Sequence, residues 1–200
     1  MATTSPAGNE SGNWSIEVRV VGTPDEYAMV MAIRAATFLA EEDNITYFDE
    51  FGGNDFVATH LLAFVNGDPA GVIRMRWFKD FAVMERLGIR KRYRSYKVFA
   101  ALARAAIDHA RTKGYRAIAG HARGEVYKLW QRFWGKRTGP EIVMYRGTLI
   151  PMVVDVPVRP NDLTIPNGPF GDPDFEDVIT QTEGAWQLDK LHHRLAVAAE

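Results

Sequence analysis

Residues 81–113 read FAVMERLGIRKRYRSYKVFAALARAAIDHARTK, and their three parts set the fold class. Phe81–Ile89 is apolar with a charged interruption, which predicts a strand. Residues 90–97 form a basic turn. Tyr96–Lys113 carries Ala100, Ala101, Ala103, Ala105, Ala106 and Ala110 and stops at Gly114. That pattern predicts a helix closed by a glycine and slim enough to lie flat on a sheet.

The neighbouring segments extend this unit in both directions. Ile16–Val21 alternates Ile16, Val18 and Val20 with Glu17 and Arg19, a strand pattern. Thr23-Pro24-Asp25-Glu26 then starts a helix, with Thr23 as cap, Pro24 at the first position and Glu26 completing a capping box. The helix is expected to reach about Glu42, with Tyr27, Met31, Arg34 and Phe38 on one stripe. Residues 43–55 read as an irregular acidic loop. His60–Val65 and Gly71–Phe78 flank Asn66-Gly67-Asp68 as a hairpin. After the Ala-rich helix come a strand at Tyr115–His121, a helix at Gly124–Trp134, and strands at Ile142–Leu149 and Met152–Val158. The order predicts an α/β (α+β) domain over residues 14–156, with a mixed, mostly antiparallel sheet flanked by helices.

The polar leader 1–13 is expected to be disordered. In the extension 157–200, Pro157, Pro160, Pro166, Pro169 and Pro173 fall within seventeen residues. It is expected to be irregular, with a short helix near 188–198.

Composition narrows the function. The 200 residues are 46% hydrophobic and 24% charged, with net charge −1, as in ordinary globular proteins. Near-neutral charge gives no support to a general nucleic-acid role. No run is apolar for the roughly 18 residues a membrane span needs, and the leader lacks the form of a secretory signal, so a cytoplasmic location is expected. There is no cysteine, which excludes disulfides and thiolate chemistry. No histidine pair has zinc spacing, and no Gly-rich dinucleotide or Walker loop occurs, so neither a metal nor a tightly bound cofactor is expected.

Alternation along residues 81–89 places Glu85 on one face with Phe81, Val83, Leu87 and Ile89. A carboxylate there is a general base or an amine anchor, or else half of a structural ion pair. Arg34 falls on the apolar stripe of the first helix, and Arg74 and Arg76 share a strand face. Their candidate partners are Asp49, Glu50, Asp55 and Glu85. Such a cluster is either scaffold or a cradle for a polar substrate. Arg86, Arg90, Lys91, Arg92, Arg94 and Lys97 put six cations and no acid into twelve residues, ahead of a helix N-terminus. A phosphate docked there, a solvated loop, or a nucleic-acid contact would each account for the run.

The element order, Glu85-Arg-Leu-Gly-Ile89, and Tyr93-Arg94-Ser95-Tyr96-Lys97-Val98 together resemble the GNAT N-acyltransferases. Arg94 matches the family's R-x-x-G-x-G/A donor segment, while Lys97 and Phe99 stand where it has glycines. A narrower resemblance is to the acyl-homoserine-lactone (autoinducer) synthases and the N-acyl amino acid synthases. It rests on Arg34 and Phe38, Phe48-Asp49-Glu50-Phe51 through Asp55, Gly71-Val-Ile-Arg74, Glu85 and Arg123, spanning roughly residues 27–140.

The resemblance implies an enzyme that moves a fatty acyl group from acyl-carrier protein to the amine of an amino acid or similar acceptor. Glu85 is then expected as base, with Asp49 ordering the arginines. Arg34, Arg74 and Glu50 are expected at the acceptor. Leu87, Ile89, Arg94, Ser95, Tyr96, Lys97 and Val98 are expected on the donor arm, and Arg90, Lys91, Arg92 and Arg123 against the carrier protein. Phe38, Met75, Trp77, Trp130, Phe133 and Trp134 are expected to line an acyl tunnel or to be core. An acyl-CoA-dependent N-acetyltransferase and a non-catalytic acyl-binding module are the alternatives. Acceptor identity, chain length and oligomeric state are left open.

Overall fold

The computed structural model describes residues 14–42, 45–144 and 147–159. The leader and the extension beyond residue 159, with its expected short helix, lie outside the described residues. The sheet has eight strands: β1 (Ile16–Val20), β2 (Thr59–Val65), β3 (Asp68–Trp77), β4 (Ala82–Ile89), β5 (Ala117–Ala122), β6 (Gly135–Arg137), β7 (Ile142–Met144) and β8 (Gly147–Asp155). Their order is β1-β2-β3-β4-β5-β8-β6, with β7 also on β8. Only β4 and β5 pair in parallel; the other pairs are antiparallel. The helices are α1 (Pro24–Arg34), α2 (Tyr47–Glu50), α3 (Tyr96–Thr112) and α4 (Gly124–Trp130). This is the mixed, mostly antiparallel architecture the sequence predicts.

One sheet face carries the main core. The alanines of α3 let it sit close, so Val98, Leu102, Ala103, Ala106 and Ala110 are fully buried against Leu61, Ile73, Met75 and Ile118. Each large aliphatic buried there contributes about 1.5–3 kcal/mol. On the opposite face α1 packs Val30 and Ile33 onto Leu62, Phe64 and Val72. Thr23 caps α1 as expected, accepting from the Glu26 N–H at 3.2 Å, while the Glu26 carboxylate accepts from Gly22 N–H.

Three local readings change. The first helix does not run on as α-helix. It passes into one π-turn over Ala35–Leu39, closed by Ala40 N–H on Ala35 C=O at 3.0 Å. The acidic segment is ordered: Thr46 caps α2, and a 3₁₀ turn follows at Gly53–Asp55. At the C-terminal end Pro151 does not divide two strands. It lies inside β8, where its carbonyl accepts from Thr138 N–H at 3.0 Å, and β6 was not foreseen.

The deciding irregularity is in β4. Arg74 is registered to Glu85, and Val72 to Gly88, so β4 holds one extra residue, with Arg86 and Leu87 opposite Ile73. Arg86 takes a left-handed φ of 53°, and the strand turns over there. The expected single face for residues 81–89 therefore splits. Glu85 faces α1, whereas Leu87 and Ile89 join the α3 core. Gly88 meets the π-turn directly: a Cβ there would lie 2.6 Å from Thr37 Oγ1 and 3.2 Å from the Phe38 ring.

Gly88→Ala should lower stability by about 1–3 kcal/mol through that overlap. Adding Thr37→Ala should recover part of the loss. In a urea double-mutant cycle, additive costs would refute the contact.

Candidate functional site

Beneath α1, strand register assembles a row of polar residues. His60 on β2 pairs with Arg74 on β3, and Arg74 with Glu85 on β4. Arg34 descends onto this row from the buried face of α1. Asp55 accepts from Arg34 Nη1 at 2.5 Å and from Arg74 Nη1 at 2.6 Å with one oxygen. Its other oxygen accepts from Gly52 N–H at 3.2 Å. Arg34 Nε donates to Glu50 Oε1 at 2.6 Å, Nη2 donates to the Glu50 carbonyl, and the guanidinium lies 5.0 Å from the Phe51 ring centre. Arg86 closes the far side, with Nη2 on the Asp49 carbonyl at 2.8 Å and Nε 3.1 Å from Glu50.

The cluster reaches solvent at Glu85 and Arg76. Arg74 Nη2 donates to Glu85 Oε2, and Arg76 Nε donates to Oε1 at 2.6 Å. Glu85 is 16% exposed and Arg76 29%, against 0% for Arg34 and Glu50. Burial pushes the Glu85 carboxyl up. The hydrogen bonds and charges of Arg74 and Arg76 outweigh that and hold it below the usual carboxylate range. Asp55 is lowered in the same way, with Arg34, Arg74 and the Gly52 N–H overcoming burial. Burial pushes His60 down despite its contact with the Asp55 carbonyl.

Beside Glu85 the sheet opens. β4 and β5 pair over Ala82–Met84 and Ile118–Gly120 only, although both strands continue. Residues 85–89 thus line a splay on the β5 side, and the bulge takes Arg86 and Leu87 out of register with β3 as well.

Several expected site residues have different surroundings from those anticipated. Arg34 and Glu50 are sealed inside the cluster, so they hold the acidic loop to α1 rather than face an acceptor. The Asp49 carboxylate accepts from the Thr46 N–H and hydroxyl at 2.9 and 2.7 Å. It thereby caps α2, and Asp55 takes the arginine-ordering position. Arg74 does converge with Glu85. Asp55, one of four candidate partners in the sequence, is the central acid, and Arg76, expected on the same face as Arg74, is the cation that pairs with Glu85 at the surface.

In the basic turn, Arg90 donates to Asp68 at 2.9 Å and to the Pro69 carbonyl at 2.5 Å. Arg94 pairs with Glu41 at 2.9 Å and also donates to the Ile89 carbonyl. Arg123 pairs with Glu42 at 2.6 Å. Ser95 caps α3 through the Val98 N–H. Lys91, Arg92, Tyr96 and Lys97 are exposed. Met75, Trp130 and Phe133 are core residues, and Phe99 packs edge-on with Trp130 and Phe133. Trp134 is exposed. Among the described residues, no group of acids and histidines is arranged to hold a metal. No helix there is long and apolar enough to cross a membrane.

Glu50→Gln leaves two guanidiniums facing a neutral amide in a sealed site. It should cost about 3–5 kcal/mol by chemical denaturation. Asp49→Asn, which alters the cap of α2, should cost about 1 kcal/mol. Equal costs would contradict this division of labour.

Comparison with known proteins fits this geometry. The model of the acetyltransferase (GNAT) family matches residues 27–135. No curated protein matches the sequence. Among solved structures, an acyl-CoA N-acyltransferase from Pseudomonas aeruginosa is similar at TM-score 0.62 and 16% identity, covering 71% of this chain and 99% of its own. FeeM, an N-acyl amino acid synthase from uncultured soil microbes, gives 0.56 and 13%, covering 72% and 93%. The ribosomal-protein-S18-alanine N-acetyltransferase of Escherichia coli gives 0.57 and 13%, covering 75% and 99%.

Proposed function

The chain belongs to the GNAT acetyltransferase family, and on that premise we propose that it transfers a fatty acyl group from acyl-carrier protein to the amine of an amino acid. The observation that carries this reading is the splay after Met84, opening beside the solvent-facing pair Glu85 and Arg76. A thioester laid into the splay brings its carbonyl to the bulge. There the Leu87 N–H, and beyond it the Ile89 backbone, are candidates to polarise the carbonyl oxygen. The acceptor nitrogen attacks the carbonyl carbon, the C–S bond breaks, and the departing thiolate takes a proton.

An amino acid offers an ammonium and a carboxylate, and Glu85 with Arg76 offers the complementary pair. Glu85, stabilised as an anion by two arginines, suits an anchor for the amine better than a base. Arg74 orients Glu85 from behind. A planar guanidinium at Arg76 matches a carboxylate.

A carrier-protein donor is supported by the basic turn and by its departures from the family pattern. Lys97 and buried Phe99 replace residues that elsewhere permit close backbone approach to a pyrophosphate. Lys91 and Arg92 are exposed and suited to an acidic partner. Acyl-CoA transfer is the second reading, supported by family membership.

Incubation with acyl-carrier protein, acyl-CoA and an amino acid mixture, followed by intact-mass analysis, tests both readings. Lys91→Glu with Arg92→Glu should raise KM for acyl-carrier protein at least tenfold, with strong salt dependence, and leave a short acyl-pantetheine unaffected. Equal effects on the two donors would exclude carrier docking there. Glu85→Gln should raise acceptor KM about 10–100-fold, the worth of one charge-assisted hydrogen bond, with donor KM unchanged. Wild-type kinetics would make Glu85 scaffold only.

A further inference from the structure

The proposed reaction needs a group to remove a proton from the acceptor's ammonium, and Glu85 is poorly suited to it. Both of its oxygens are held by guanidiniums, and a carboxylate so stabilised gains little by taking a proton.

The register of β4 and β5 brings another group to the same place. Val83 and Ala119 are paired across these parallel strands and share a face. Two residues further on β4 is Glu85; two residues further on β5 is His121. Both therefore project from one face, on opposite sides of the splay. His121 is exposed, while its neighbours Gly120 and Ala122, pointing the other way, are buried.

Among the described residues, no helix covers that face on the β5 side. α1 packs over β2, β3 and β4. α4 packs on β5 and β8 from the opposite face, where Trp130 joins Ile118, Met152 and Val154 in the core. Val83, Ala119, Pro151 and Val153 are left as a half-buried shelf leading from Glu85 to His121. Among the described residues, the charged groups on this side are Glu85 and Arg76, the Arg123–Glu42 pair just beyond His121, and, toward the Ala117 end of β5, Lys136 and Asp155, which pair with each other.

We propose that His121 is the general base, accepting the acceptor's ammonium proton across the splay while Glu85 anchors the nitrogen. This rests on the acyl-transfer reading above. The chemistry balances as follows. The ammonium gives one proton to a ring nitrogen of His121, and the neutral amine attacks the thioester carbon. The C–S bond breaks, the second nitrogen proton goes to the thiolate, and imidazolium releases its proton to water. Imidazole suits this step because it both takes and returns a proton near neutral pH.

The test uses the full chain with His121→Ala and His121→Gln, two acceptors, and a thermal-unfolding control. One acceptor is an amino acid, protonated at assay pH; the other is hydroxylamine, already neutral there. The variants should lose about 10²-fold in kcat/KM with the amino acid and less than tenfold with hydroxylamine. Donor KM should not change, and added imidazole should restore part of the activity. Near-wild-type turnover of the amino acid, or equal losses with both acceptors, would overturn His121 as base while leaving acyl transfer standing. Failure of the wild-type protein to acylate any amine would overturn the acyl-transfer reading, and this assignment with it.

Discussion

Asp55 bridges two buried guanidiniums with a single oxygen, and the site is organised around that fact. Arg34 hangs from α1 and Arg74 rises from β3, both out of water. Left unpaired, each would cost several kcal/mol to bury. The segment carrying Glu50 and Asp55 must therefore fold back over the sheet, and in doing so it seats α1. The geometry propagates outward: Arg74, held on one side by Asp55, presents its other nitrogen to Glu85. The innermost groups, Arg34 and Glu50, are sealed, while Glu85, Arg76 and Arg86 at the edges meet solvent.

Arg86 ties this cluster to the opening in the sheet. Its left-handed backbone is disfavoured for a non-glycine residue by roughly 1–2 kcal/mol. The side chain secures it on the Asp49 carbonyl and Glu50. The same bulge turns Leu87 and Ile89 into the α3 core and takes Leu87 out of register with β3. The acidic loop and the splay are thus two ends of one constraint, and Gly88 lets the π-turn of α1 press against it.

The sequence made the architecture legible wherever periodicity and caps agreed. The Ala-rich helix, the Asn66-Gly67 hairpin and the Thr23 cap all have local physical causes. The ionic cluster was legible as a set, since Arg34 and Arg74 fall on faces where solvated cations do not belong. Its wiring was not legible. Asp49, Glu50 and Asp55 look alike in a string, and the Thr46 cap and the turn at Gly52 decide which carboxylate points inward. The turnover of β4 had no sequence signal, because a left-handed arginine is fixed by tertiary contacts. Pro151 misled for a related reason: a proline reads as a break, yet β8 carries it as a strand residue whose carbonyl still bonds to Thr138. His121 carries no ligand spacing in the string, and only the register of β4 on β5 puts it on the same face as Glu85.

The electrostatics of the cluster also favour keeping anchor and base on separate strands. Four guanidiniums, Arg34, Arg74, Arg76 and Arg86, face three carboxylates, Glu50, Asp55 and Glu85. Arg74 and Arg76 stabilise Glu85 as an anion, which makes it a firm partner for an ammonium and a weak acceptor of its proton. What the site then requires is a neutral acceptor outside the direct grip of the arginines, on the same face and within the opening. β5 supplies an imidazole in that position, across the splay from Glu85.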